Sequence, residues 1–295
     1  MSTTPLQTAS AYYQSTPGTR WLRWALGLSE RVWPALAVRG ALRLFGTPLP
    51  PKWLHRRQPA LASWQATPWP FEQASLTLYE PPPGPHGPVV LLLHGWGGHA
   101  AQMLPLAQAL VQQGLRPVLV DLPAHGRSQG STSNLPQFAR AIEYLTARLQ
   151  QQGHEVRGVV AHSLAANALA YAAARGLQVP RLALLAPPAS PHAYTRLFAM
   201  VFGLREETRA RLQQRVEARE GILMRQFEPA AVGPRVAVPT LIVHDREDRI
   251  NRFADAEAYR DAIAGARLVE TSGLGHTRLL RDAQVLEAVV AHMQG

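Results

Sequence analysis

Val159-Val160-Ala161-His162-Ser163-Leu164-Ala165-Ala166 is an apolar strand that runs into a small-residue helix, with one serine at the corner. A serine held there points its hydroxyl away from the backbone, into a cleft at the carboxyl edge of a sheet. In the nucleophile-elbow pattern G-x-S-x-G the flanking positions are usually glycine. Here they are Ala161 and Ala165, and each adds a methyl where strand and helix pack closely. Read alone, the octapeptide also fits an ordinary helix start whose serine caps free backbone N–H groups. Other segments separate the two readings.

Downstream, Pro239-Thr240-Leu241-Ile242-Val243-His244-Asp245-Arg246-Glu247-Asp248 is a β-branched run ending in a polar turn with carboxylates just past the strand end. Further on, Thr271-Ser272-Gly273-Leu274-Gly275-His276 is a glycine-rich turn presenting one histidine. Ser163, Asp248 and His276 thus follow one another as candidate nucleophile, acid and base. A serine hydroxyl is a poor nucleophile at neutral pH, so an imidazole must take its proton. A carboxylate then holds that imidazole in one tautomer and stabilises the imidazolium. Upstream, Val89 to Leu93 is continuously apolar, as in a central parallel strand buried on both faces. It ends in His94-Gly95-Trp96-Gly97-Gly98, where backbone approaches a substrate closely. The N–H groups of Trp96 and Leu164 are the expected oxyanion donors.

These segments, with Asp121-Leu122-Pro123-Ala124-His125-Gly126-Arg127-Ser128, give the chain a resemblance to the α/β-hydrolase superfamily over roughly residues 74–295. The resemblance implies an α/β fold: a mostly parallel central sheet with helices on both faces and a short helical cap inserted at about 187–236. It implies a serine hydrolase of the esterase or lipase kind, with Ser163, Asp248 and His276 as its triad and no cofactor. Asp121 and Asp245 are the alternative acids. His94, His125 and His162 read as loop-bracing or structural histidines, and His244 with Asp245 lacks the second histidine pair that a metal site needs.

Composition narrows the chemistry further. There is no cysteine, which removes disulfides, thiolate metal sites and a thiol nucleophile. Its absence fits a cytoplasmic protein. The net charge of +10 is almost entirely arginine, Lys52 being the sole lysine. No run of five like charges occurs, His55-Arg56-Arg57 is short, and no nucleic-acid motif is present. The basic balance reads as surface arginine, with no nucleic-acid partner.

Residues 1–73 read as an N-terminal helical arm and an irregular connector over 46–72, ahead of the hydrolase domain. No apolar core of a signal peptide follows a basic start. Trp21 to Phe45 is apolar but interrupted by Arg23, Glu30, Arg31, Arg39 and Arg43, too charged for a membrane span. Trp21, Leu22, Ala25, Leu28, Val32 and Leu36 lie at helical spacing and predict an amphipathic arm broken near Pro34. Its expected place is against the hydrolase core; a lid over the cleft and a peripheral membrane contact are the alternatives. Beyond it the pattern predicts strands at 74–79, 88–93, 116–120, 156–161, 181–185, 238–243 and 266–270, with helices at about 100–113, 135–151, 164–175, 252–264 and 279–293. Strand–helix alternation of this kind builds a parallel sheet.

The function expected from these residues is hydrolysis of a small-molecule carboxylic ester or thioester through an acyl-enzyme on Ser163. Leu164, Trp96, Leu274 and the apolar part of the cap suggest a hydrophobic acyl pocket. An aminopeptidase or a cofactor-free haloperoxidase uses the same triad. A non-catalytic ligand-binding scaffold on this fold is the alternative outside enzymes.

Overall fold

The computed structural model describes residues 17–52, 58–82 and 87–295. The His55-Arg56-Arg57 cluster lies outside the described residues. Contacts divide the described residues into two compact units: those of 17–47 with 190–228, and those of 48–189 with 229–295.

The larger unit is built on an eight-stranded sheet. Its strands are β1 Gln65–Phe71, β2 Ala74–Glu80, β3 Val89–Leu93, β4 Arg116–Asp121, β5 Val156–His162, β6 Arg181–Leu185, β7 Thr240–Asp245 and β8 Arg267–Thr271. The order is β1-β2-β4-β3-β5-β6-β7-β8. β1 and β2 are antiparallel to each other, and β2 is antiparallel to β4. All other pairs are parallel. The uniformly buried runs of β3, near the middle of the sheet, and of β7, one strand in from its edge, follow from having a neighbour on each side and cover on both faces.

The helices of this unit are α3 Leu104–Gln112, α4 Leu135–Gln151, α5 Leu164–Ala174, α8 Pro229–Val232, α9 Phe253–Ala262, α10 Gly275–Arg278 and α11 Ala283–Gln294. α4 begins at Asn134, whose side chain accepts the Gln137 N–H, and α11 at Asp282, which accepts from Gln284 and Val285. α4 packs on α5, and α3 packs on α11. Val90, Leu92, Leu119, Val160, Ala183, Leu185, Leu241 and Val243 alternate along their strands onto one face. There they meet Met103, Leu106 and Leu110 near and within α3, and Val285, Val289 and Met293 of α11.

Two boundaries depart from the sequence pattern. The segment read as irregular connector contains β1, and the helix expected from about residue 100 starts with a 3-10 turn, Ala100–Met103, before α3. That turn sits where the Ala100 N–H is bound by the Asp121 carboxylate at 2.8 Å.

The smaller unit joins the amino-terminal helices α1 Pro17–Val32 and α2 Pro34–Phe45 to α6 Pro191–Phe202 and α7 Glu206–Glu220. Pro34, at the first position of α2, breaks the arm as expected. Leu26 of α1 clusters with Val201 and Phe202 of α6 and with Leu44 of α2. Phe45 meets Phe198 edge-on with ring centroids 5.2 Å apart. The Arg23 guanidinium donates to the Met200 and Val201 carbonyls, and the Glu30 carboxylate accepts the Arg205 N–H at 3.0 Å, at the start of α7. The face of α1 engaged here is not the one picked out by its apolar spacing. Arg23, Leu26 and Glu30 face the insertion, whereas Trp21, Leu28, Val32 and Leu36 are exposed. Periodicity shows that a helix has an apolar stripe; which side finds a partner depends on the partner.

Candidate active site

Ser163 stands between β5 and α5 with φ 54° and ψ −125°. A positive φ at a non-glycine residue costs on the order of 1–3 kcal/mol and persists only where its surroundings hold it. Here the Ser163 N–H is bound to the Leu185 carbonyl at 2.8 Å, and its carbonyl accepts the Ala166 N–H at 2.9 Å. Ala161 and Ala165 are both fully buried. Their methyls are accommodated without relaxing the corner.

The parallel pairing of β7 and β8 sets Asp245 opposite Thr271, so the turns after these two strands lie side by side. The first carries Asp248 and the second carries His276. His276 Nε2 lies 3.0 Å from Ser163 Oγ, and His276 Nδ1 lies 2.7 Å from Asp248 Oδ2. Since a carboxylate only accepts, Nδ1 carries the hydrogen and Nε2 presents its lone pair to the serine hydroxyl. The other Asp248 oxygen accepts the N–H groups of Ile250 at 2.7 Å and Asn251 at 3.0 Å. Burial pushes the Asp248 carboxyl up. Hydrogen bonds from His244 and His276, the His276 charge and the Ile250 amide outweigh burial and hold it well below the usual carboxylate range.

The alternative acids have other work. Asp121 is buried and accepts from the Tyr79 hydroxyl and the N–H groups of Ala100 and Arg127, each at 2.8 Å, and from Gln58 Nε2 at 2.9 Å. Asp245 accepts the Thr271 hydroxyl at 2.8 Å and the N–H groups of Leu274 and Glu247 at 3.0 Å. It thereby braces the turn that presents His276. Burial raises the Asp245 carboxyl, but the amides of Gly275 and Leu274 and the Thr271 hydroxyl leave it below its ordinary value.

The loop after β3 lies against the serine. A Cβ on Gly95 would fall 2.8 Å from Ser163 Cβ, so only glycine lets the two segments meet. Gly97 has φ +70°, and a Cβ there would fall 2.2 Å from the Leu49 carbonyl oxygen. The Gly97 N–H is bound to His125 Nε2 at 2.9 Å and the Gly98 N–H to the Gly95 carbonyl at 3.1 Å. The intervening Trp96 N–H belongs to the same turn, and Trp96 packs edge-on against His125. Leu164 is the first residue of α5, so its N–H has no acceptor within the helix. His94 Nε2 accepts the Leu122 N–H at 3.1 Å. His94 and His125 thus tie together the loops after β3 and β4.

Asn251 had no clear signal in the sequence, and His162, read there as structural, had no partner that the sequence could name. Asn251 is buried, and its Nδ2 lies 2.8 Å from the Ala186 carbonyl and 3.4 Å from Ser163 Oγ. Its position three residues past Asp248 is the only hint, and it emerges only when the turn closes. His162 lies against His276 with ring centroids 4.6 Å apart and planes tilted by 43°, and donates from Nε2 to the His276 carbonyl at 2.8 Å. It grips the backbone and ring of His276 from beneath. Burial, helped by the nearby His276 charge, pushes the His162 imidazole down to about 3. His244 Nε2 approaches Asp248 at 3.4 Å and the Asn251 carbonyl at 3.2 Å. Among the described residues no three His, Cys, Asp or Glu side chains gather as metal ligands.

Comparison with known proteins agrees with this architecture. The profile of the alpha/beta hydrolase family matches residues 90–289. A pimeloyl-[acyl-carrier protein] methyl ester esterase of Xanthomonas campestris pv. campestris is 36% identical over 103 residues, 34% of this chain and 37% of that protein. The chain therefore spans just over a third of that relative's length at this identity. The esterase of the same name from Xanthomonas axonopodis pv. citri is 28% identical over 243 residues, 69% of this chain and 94% of the relative. The crystal structure of a membrane phospholipase A shares the fold, with a TM-score of 0.60, 17% identity, and coverage of 92% of this chain and 98% of that one. Sheet order, strand directions and a family match that runs from β3 into the last helix lead to one conclusion: the chain is a member of the alpha/beta hydrolase family.

Proposed function

We propose that this chain cleaves a carboxylic ester or thioester with Ser163 as nucleophile, His276 as general base and acid, and Asp248 as its orienting carboxylate. The observation that carries the reading is the continuous line from Asp248 Oδ2 through the His276 ring to Ser163 Oγ, with steps of 2.7 and 3.0 Å. As Ser163 Oγ attacks the acyl carbon, its proton passes to His276 Nε2. The charge on the carbonyl oxygen is met by the N–H groups of Trp96 and Leu164. Collapse expels the alcohol or thiol, which takes the proton from Nε2. Water attacks the acyl-serine by the same route in reverse, releasing the carboxylic acid. The negative charge of Asp248 stabilises the transient imidazolium in both halves.

The names of the relatives guide the choice of acyl group. Pimeloyl-carrier methyl ester is the natural compound to assay first, followed by nitrophenyl esters of increasing acyl length. Mass spectrometry after a fluorophosphonate probe should place the adduct on Ser163, and Ser163→Ala should lose both adduct and turnover. Ester turnover of equal rate in wild type and Ser163→Ala would refute the assignment.

A further inference from the structure

Helix α1 turns its richer apolar side outward. Trp21, Trp24, Leu28 and Val32 recur at three- and four-residue steps and share one side of the helix. They are 71%, 61%, 48% and 54% exposed. The side engaged with the insertion is the poorer one, with Leu26 its one buried large apolar residue beside Arg23 and Glu30 and with Leu22, a turn earlier, 41% exposed. A helix that simply docks on its neighbours buries its apolar stripe and exposes its charges. The outward apolar surface continues around the corner through Trp33 and Leu36, 66% and 53% exposed.

Charge identifies what this surface fits. Arg20, Arg23, Arg31, Arg39 and Arg43 stand along α1 and α2, against one carboxylate, Glu30, which is buried and capped onto Arg205. By helical position Arg20 and Arg31 border the Trp24–Leu28 stripe, and Leu36 shares its side of α2 with Arg39 and Arg43. A second copy laid symmetrically on this face would set arginine rim against arginine rim, with no exposed carboxylate on the pair to answer it. A leaflet with anionic headgroups answers both features. Indole rings favour the level of the headgroups, and guanidinium groups meet phosphates there. No helix among the described residues is long and apolar enough to cross a membrane. The mode is therefore a helix lying in the plane of the interface.

We propose that the α1–α2 pair is a docking surface for an anionic lipid bilayer, with Trp21, Trp24, Leu28 and Val32 inserted and the arginines at its rim held by lipid phosphates. The inference stands on the smaller unit alone and is independent of the roles assigned to Ser163, Asp248 and His276. The test is sedimentation of the full chain with vesicles of phosphatidylcholine containing about 30% phosphatidylglycerol, against phosphatidylcholine alone, at physiological salt. The expected result is binding to the anionic vesicles that fades as salt is raised. The double variant Trp21→Ser, Trp24→Ser should bind about tenfold more weakly or worse. Arg20→Gln and Arg31→Gln should each cost about fivefold. Circular dichroism melts establish that the variants fold. The chain has no cysteine, so Leu28→Cys carries a single polarity-sensitive dye, whose emission should shift to the blue on anionic vesicles. No binding by wild type, equal binding by the tryptophan variant, or an unshifted dye would each overturn the proposal. So would light scattering that shows a dimer dissociated by Trp21→Ser, Trp24→Ser, which would assign the face to a second copy.

Discussion

Replacing His162 by glutamine isolates the proton balance of one buried imidazole. In the fold this ring is neutral, because burial and the His276 charge push it down to about 3, whereas in the unfolded chain it titrates near 6.5. A histidine depressed in this way contributes stability that is complete above the unfolded value and is lost as pH falls through the window from 6.5 toward 3. Within that window the unfolded chain binds one proton more than the folded one. Lowering the pH from about 7.5 to about 5 therefore removes about 2 kcal/mol of folding stability through this group alone. Glutamine keeps a donor for the His276 carbonyl but has no proton to gain. Urea unfolding of wild type and His162→Gln at the two pH values gives the comparison directly, because every other titrating group is common to both. Wild type should lose about 2 kcal/mol more than the variant on acidification. At the upper pH the variant should be weaker by about 1 kcal/mol for the altered contact with the His276 carbonyl. Identical pH dependence in the two proteins would refute the reasoning, since it would mean that the ring at position 162 takes up its proton freely in the fold.

Three further substitutions probe the neighbouring groups. Asp248→Asn keeps the shape but favours the wrong tautomer of His276, so kcat toward a nitrophenyl ester should fall by about 10⁴ with KM little changed. A loss confined to KM would remove Asp248 from its role. Gly95→Ala places a methyl 2.8 Å from Ser163 Cβ. It should cost about 1–3 kcal/mol by thermal melt and about 10- to 100-fold in kcat/KM, and a fully active variant would show that the loop after β3 lies elsewhere. Asp245→Ala strips the acceptor from Thr271, Leu274 and Glu247 and should cost about 3 kcal/mol in urea unfolding at neutral pH. Because the Asp245 carboxyl lies below its ordinary 3.8, its contribution is present above that value and is lost progressively as pH falls through the lowered folded value, so the gap from wild type should begin to narrow below about pH 4. A gap that did not narrow at all between neutral pH and about pH 3 would contradict the assignment.

What the sequence made legible was set by local chemistry. The unbroken apolar run of β3 and the length of α4 could be read because sheet burial and helix periodicity write directly into residue order. The chain order of Ser163, Asp248 and His276 was readable because this topology delivers the ends of β5, β7 and β8 to one edge. β1 was not, because Pro68 and Pro70 read as breakers. In the structure they alternate with Trp69 on the outermost strand, and their missing N–H groups fall on the unpaired side. The parts played by Asn251 and His162 depend on turns closing from distant segments, which no local pattern encodes. The outward side of α1 was hidden for a related reason. Spacing gives the stripe, whereas Phe198, Val201 and Phe202, more than 150 residues away, decide which side is used.

That separation has a temporal consequence. Synthesis delivers α1 and α2 long before α6, whose first residue is Pro191. At ribosomal speeds of about 5–20 residues per second, the helix pair waits roughly 7 to 30 s for the segment it packs against. Through that interval both sides of α1 lack their cover, and the nascent chain offers its tryptophans to whatever surface stands near the exit tunnel.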